Sequence, residues 1–446
     1  MVTLNTSSGN VVGIKQLVLN IDKNFKSSYP DSASPTKPCI YKVPGHLRRV
    51  NAKAYTPTLI SIGPFHHGNE KFKTMEALKL RYGETFRERE KADMEKLVKT
   101  ILYKKEKIRS CYAKTSNSSN FHSDDAYFVK MILVDAIFIL ELFLSWDKNQ
   151  ENGNPTDPMK AEPWMLSVVR LDLVLLENQL PFFVIKDLYK NDFNVQVMQP
   201  GNFNRKIKHF TDLLRTFYLP PYPTSSQPST PSKSKRCNWF NWITLKLIKR
   251  NKAPANEPQR DKVRKLLYSA TQLHEAGVKF EKSTSKSLLD LDFDTSDGVL
   301  KIPVLKLNDS AEVRIRNIMA YEQFDLGEKR FITDYLIILD FLINTPKDMD
   351  LLCDKEIVVN YLGDNKVATS VVNRLNTNVS WLGIDSKYSN ICENLNSFGK
   401  TPRHRWIAIL RHEYFNTPWR GAATIAAFIL LLLTLIQSVC SIYQVV

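Results

Sequence analysis

The sequence predicts a mainly α protein: a multi-helix, bundle-like globular body with one small β-hairpin and a single C-terminal transmembrane helix. Three observations carry this. Apolar residues recur at helical spacing through most of the chain, alternation with period two is confined to the stretch around Asp297-Gly298, and Gly421 to Val439 is a run without formal charge. At about 1.5 Å of rise per residue that run reaches roughly 28 Å, close to the roughly 30 Å of bilayer hydrocarbon. Trp419 and Tyr443 at its two ends, with Arg420 beside the first, are residue types that flank such spans. A basic cluster, Arg403, His404, Arg405, Arg411 and His412, precedes it, so the body is expected on the cytosolic side of a single-pass, tail-anchored protein, with the plasma membrane as one candidate.

A chain of 446 residues, 43% hydrophobic, can bury a real core. Its net charge of +16 suits an anionic membrane surface. No RNA-binding aromatic-basic signature or zinc-finger spacing appears, so no nucleic acid partner is expected. The cysteines Cys39, Cys111, Cys237, Cys353, Cys392 and Cys440 are widely spaced without a C-x-x-C pair, which is reduced, cytosolic usage. No secretory signal is read at the N-terminus.

In order, residues 1–38 read as a mobile N-terminal arm. Residues 39–218 form the first part of a helical core, which begins with a Pro- and Gly-dense extended segment from Pro44 to Gly68. A long helix is expected from Asn69 to about Tyr112, broken by Asn117 to Ser119. Ala126 to Trp146 is apolar on nearly every side and belongs inside the body. Trp164 to Tyr189 repeats the theme, with a kink or restart at Pro181. Residues 219–260 are a Pro/Ser/Lys-rich linker or insertion. Residues 261–415 are the second part of the helical core, with helices expected at Asp261 to Gly277, Ala311 to Phe324, Phe331 to Asn344, Asp348 to Tyr361, Val367 to Leu375 and Trp406 to Phe415. The hairpin lies near 288–307, and the anchor is 421–439.

Motif spacings exclude several chemistries. His274-Glu275 and His412-Glu413 lack the second His of a zinc helix, and the Asp290 to Asp297 cluster lacks the Gly and Glu of a calcium loop, so no metal and no cofactor are expected. No phosphate loop or nucleophile elbow occurs, and no small-molecule ligand is identified. What remains are polar residues on apolar helices: Asp135, Glu141, Asp172, Glu177, Asn178 and Gln179. Their candidate partners Arg48, Lys79 and the His66-His67 pair are brought by the N-terminal segment and the helix after it. Such a network could be an internal lock seating the extended segment, the reading preferred here. The alternative is a membrane-bound hydrolase with Glu177, Asp172 and His66 as catalytic groups. A further alternative is a lipid-surface binding module built on Lys235, Arg236, Trp239, Phe240, Trp242, Lys246, Lys249 and Arg250.

Several motifs together resemble the plant proteins grouped as domain of unknown function 247. They are Val43-Pro44 with Tyr55-Thr-Pro57, Ile62-Gly-Pro-Phe-His-His-Gly68, Asp172-Leu-Val-Leu-Leu-Glu-Asn-Gln-Leu-Pro-Phe-Phe183, Ala276-Gly-Val-Lys-Phe280, Tyr321-Glu-Gln323 and Tyr414-Phe-Asn-Thr-Pro-Trp419. The resemblance implies a plant membrane protein without an established activity. A recognition, signalling or scaffold component is expected, with a membrane and another protein as partners.

Overall fold

The computed structural model describes residues 37–113, 124–147, 159, 162–190, 207–219, 260–261, 266–285, 287–288, 290–326, 330–379, 383–401 and 418–445. Almost all of the expected arm and linker, the Lys235 to Arg250 stretch, the break at Asn117 to Ser119, the basic cluster of Arg403 to His412 and the helix expected at Trp406 to Phe415 lie outside the described residues.

The long helical pattern from Asn69 divides into α1 (Lys73–Glu90) and α2 (Met94–Ser110). Lys91 turns left-handed at φ 47°, and the Asp93 carboxylate accepts the Lys96 N–H at 3.2 Å, capping α2. A strong cap thus starts a second helix where the periodicity alone runs on. Next comes α3 (Asp125–Asp147), in which Phe128, Ile132, Ala136, Phe138, Ile139 and Leu140 are fully enclosed. Burying each large side chain contributes roughly 1.5–3 kcal/mol. Both preceding helices pack on α3, and so does α5 (Phe182–Lys190).

The helix expected across Trp164 to Tyr189 ends well before Pro181. Its first piece, α4, is Pro163–Asp172, and the nine residues to Pro181 are wound but not helical. The cause is local. Gln179 Nε2 donates to the carbonyls of Leu173 and Leu175, each at 2.7 Å, and Asn178 Nδ2 donates to that of Asp172 at 2.9 Å. These side-chain amides occupy carbonyls that a continuing helix would need.

The first half closes with α6 (Phe210–Thr216), and the second contains α7 (Ala270–Glu275), α8 (Ala311–Tyr321), α9 (Phe331–Leu342), α10 (Pro346–Asp354), α11 (Asn365–Leu375) and α12 (Ser386–Lys400). In α7 the helix begins only at a Ser269/Gln272 capping box, later than the Asp261 start expected. The helix expected to run to Tyr361 stops at Asp354, because Glu356 turns left-handed at φ 55° and the following valines enter a strand.

The strands are β1 (Arg260–Asp261), β2 (Lys279–Lys282), β3 (Asp292–Asp294), β4 (Val299–Ile302), β5 (Leu305–Leu307), β6 (Val358–Asn360) and β7 (Ile384–Asp385). A lone hairpin is therefore a correction to make. β3 and β4 do pair antiparallel around Asp297-Gly298, but β2 adds to β4 in parallel, giving the order β2-β4-β3. Pro303 ends β4, and the chain beyond it pairs elsewhere, β5 with β6 in parallel and β1 with β7 antiparallel.

The closing helix α13 (Pro418–Val445) forms, and Ile425, Phe428, Leu431 and Leu435 on it are exposed. The expected transmembrane helix is nonetheless corrected: among the described residues no helix is long and apolar enough to cross a membrane. Thr424, Thr434, Gln437 and Ser438 interrupt its apolar run, leaving it short of the roughly 20 consecutive apolar residues a span requires.

Two apolar cores result. One gathers around α3, and the other around α9 with Tyr335, Ile338, Leu339 and Leu342 fully buried. Between them a small cluster of Val43, Leu47, Ala54, Tyr55, Leu176, Ala320 and Tyr321 joins the extended segment to both halves.

Candidate functional site

The segment from Cys39 to His67, expected to be extended, winds into a helical turn at Gly45–Arg48 and a 3-10 turn at Ala52–Tyr55 but joins no sheet, so buried N–H groups outside those turns must be satisfied otherwise. Side chains from α3, from α4 and from the wound stretch behind α4 supply the acceptors. Thr58 N–H donates to Asp172 Oδ1 at 2.8 Å, while Leu59 and Ile60 donate to Oδ2 at 2.6 and 2.9 Å. Ile62 N–H donates to Asn178 Oδ1 at 2.6 Å, and Asn178 Nδ2 returns a bond to Ile60 O at 3.0 Å. Gly63 N–H donates to Asp135 Oδ2 at 2.7 Å. Val43 N–H donates to Glu177 Oε1 at 2.6 Å. Successive residues of one segment are thereby held by four buried side chains.

Cations complete the arrangement. Arg48 pairs with Glu177 Oε1, and His66 Nε2 stands 3.1 Å from Oε2. Lys79, fully buried, bonds the Ser61 carbonyl, Asp135 Oδ1 at 2.6 Å and Glu76 Oε1 at 2.6 Å. Removing either member of such a buried pair typically costs about 3–5 kcal/mol, because the survivor stays charged and unsolvated. Burial works to raise the Glu177 carboxyl, but His66, Arg48 and the Val43 N–H overcome it and hold it below its ordinary 4.5. At Asp135 burial outweighs Lys79 and the Gly63 N–H, and at Asp172 it outweighs the three segment donors, so both carboxyls are raised.

Gly63 marks the closest approach. It sits at φ +71°, and a Cβ there would lie 2.6 Å from Gln179 O and 3.1 Å from the Tyr112 hydroxyl, which itself donates to Gln179 O at 3.0 Å. Gln179 Oε1 accepts from Phe210 N–H at 2.9 Å, tying the same loop to α6.

The candidate residues therefore form several centres on one segment: Arg48 and His66 meet at Glu177, Lys79 meets Asp135, Asp172 and Asn178 take the backbone between Thr58 and Ile62, and Gln179 joins the loop to α6. Glu141 stands apart, paired with Arg89 at 2.7 Å, and His67 packs its ring against Tyr127 at 5.5 Å. Of the trio Glu177, Asp172 and His66, only His66 and Glu177 meet, while Asp172 holds the backbone of Thr58 to Ile60. Asp172 and Glu177 are 2% and 1% exposed, and neither the cavity between α4, α6 and α8 nor the one along α2 is lined by Glu177, Asp172 or His66. Among the described residues no group of three or more His, Cys, Asp and Glu could hold a metal ion. Trp419, Arg420 and Tyr443 all fall on α13, with Trp419 exposed.

Sequence reasoning missed a parallel set in the second half. Asn317 on α8 accepts from Leu176 N–H at 2.8 Å and donates to Ala54 O at 2.7 Å, stapling both halves to the segment. Glu322 takes Arg215 Nε at 2.7 Å together with the Thr333 N–H at 2.9 Å and hydroxyl at 2.8 Å. Asp348 accepts from Ser269, Thr271 and Thr345 at once. Burial works to raise the Asp348 carboxyl, but these hydroxyl and N–H donors hold it below its ordinary range. The available signal was a polar residue within an apolar helix, as in Asn317 before Ile318-Met319.

A family model described as a plant protein of unknown function matches residues 40–433. UPF0481 protein At3g47200 of Arabidopsis thaliana is 30% identical over 437 residues, covering 92% of this chain and 88% of that protein. Putative UPF0481 protein At3g02645 of the same plant is 21% identical over 519 residues, covering 94% and 93%. No solved structure matches.

Proposed function

The chain belongs to the plant domain of unknown function 247 family, and from that premise we propose that it is a non-catalytic recognition, signalling or scaffold component whose partner is another protein. The observation that supports this most is the engagement of its acids. Glu177, Asp172 and Asp135, the groups most like catalytic carboxylates, are enclosed and bonded to the backbone of the chain's own segment. A general base needs reach to a substrate proton, and these side chains are engaged by the N–H groups of Val43, Ile60 and Gly63. They act as an internal lock that fixes one packing of the segment against both cores. A net charge of +16 supports keeping an anionic membrane surface among the partners.

The test compares wild type with Glu177→Ala and His66→Ala in the full chain, measuring folded abundance in plant cells and proximity labelling of neighbouring proteins. Expected are a loss of folded protein for Glu177→Ala and a reproducible set of protein neighbours for wild type. Variants as abundant and heat-stable as wild type would oppose the lock, and the absence of any reproducible neighbour would oppose the recognition role.

A further inference from the structure

Away from the locked segment, α4, the end of α6, β5 and the start of α8 enclose a cavity of about 570 Å³. That volume lies within the range of small-ligand sites, roughly 300–1,000 Å³. Its floor is apolar, with Leu171, Val174, Leu214, Leu305 and Ile315 among the lining residues. Its charged lining residues are all cations, Arg170, Arg314 and Lys306, with no Asp or Glu.

Two of these cations are set by the fold. Arg314 is positioned by neutral oxygens, bonding Ser310 Oγ at 2.5 Å and Asn308 Oδ1 at 3.0 Å. Arg170 comes from the last turn of α4, half-buried, and burial pushes its guanidinium below its usual range. A guanidinium in such surroundings gains most from an anion that reaches it without water. Ser283, also in the lining, adds one hydroxyl donor, whereas the Ser285 hydroxyl donates to Asp290 and that of Ser310 to Asn308.

We propose that this cavity binds a small amphipathic anion, an apolar body capped by a carboxylate, with the body against Leu171, Val174 and Ile315 and the head between Arg170 and Arg314. The choice of occupant follows from the lining: an uncharged apolar ligand would not answer its positive charge, and inorganic anions would leave the floor exposed. The inference stands apart from the lock, since none of the locking residues lines the cavity. Because α4 and α6 belong to one half and β5 and α8 to the other, an occupant would touch both.

The experiment is equilibrium dialysis of the full chain against dodecanoate, with the neutral dodecanol as comparison. Saturable binding of one dodecanoate per chain is expected, with dodecanol weaker by about tenfold or more. Arg170→Met and Arg314→Met should each weaken dodecanoate by about tenfold and leave dodecanol unchanged. Lys306→Met, an exposed position, carries the same expectation in smaller degree and serves if either arginine variant fails to fold. Equal binding of acid and alcohol, or acid binding indifferent to all three substitutions as for adsorption on the exposed face of α13, would overturn the proposal. So would the absence of saturable dodecanoate binding.

Discussion

Replacing Asp172 separates a structural carboxylate from a catalytic one. Its two oxygens accept three N–H groups, Thr58 on Oδ1 and Leu59 with Ile60 on Oδ2. In Asp172→Asn the amide oxygen can take the Oδ2 place and keep two donors, leaving the amide nitrogen opposed to Thr58 N–H. One lost bond costs about 1–3 kcal/mol, and the low end applies because Thr58 is exposed and water can reach it. The substitution also removes a charge that burial disfavours, as the raised Asp172 carboxyl shows, so a net loss of about 1 kcal/mol is expected. Asp172→Ala orphans all three donors, including the buried Ile60 N–H, and should cost about 3–5 kcal/mol, against a typical total of about 5–15. Urea unfolding followed by near-UV circular dichroism reads both, with a midpoint shift on the order of 1 M expected for the Ala variant. A catalytic acid behaves in the opposite way, since relieving an unfavourable site leaves stability unchanged or raises it. Equal midpoints for wild type, Asn and Ala would refute the reasoning.

Gly63→Ala and Gly68→Ala share a positive φ, +71° and +83°, but only at Gly63 does the new Cβ meet a backbone oxygen, at 2.6 Å. Both should lose about 1–2 kcal/mol from the left-handed backbone, and Gly63→Ala distinctly more, so thermal midpoints that fall equally would deny the close approach. His209 is held neutral by burial, its pKa pushed down to about 3 from 6.5, so between those values the unfolded chain binds the extra proton. Stability should therefore fall by about 1.4 kcal/mol for each pH unit of acidification in that window. His209→Asn keeps a side-chain acceptor for the Asp212 N–H and cannot titrate, so its unfolding free energy should vary less between pH 6.5 and about 5 than that of wild type.

Which features the sequence disclosed follows the range of the forces involved. Helical periodicity found α3 and α9 because each buries most of its surface, and Asp-Gly located the β3–β4 turn. Boundaries set by single side chains escaped it. The Asp93 cap divides α1 from α2, and the carboxamides of Asn178 and Gln179 end α4 before Pro181. β2 and β6 pair in parallel with strands distant in sequence, which no local alternation announces. The helix α12 was overlooked because Ser and Asn dilute its apolar positions Tyr388, Ile391, Cys392 and Leu395. At the site, buried polar residues were visible as anomalies on apolar helices, and their partners in the Pro-rich segment were named by charge alone. What charge does not reveal is that most of the acceptors serve backbone N–H groups rather than cations. Asn317, within the apolar run of α8, carried the same kind of signal, whereas Glu322 and Asp348, equally central, lie in less apolar stretches of the sequence.

Hydrogen exchange of the intact chain tests most directly whether buried side chains hold the extended segment. Amides of Leu59, Ile60, Ile62 and Gly63 belong to no helix or ladder, and each donates to Asp172, Asn178 or Asp135. They should exchange as slowly as the centre of α3, opening only with the core. Exchange at loop rates in this segment while α3 stays protected would contradict the lock.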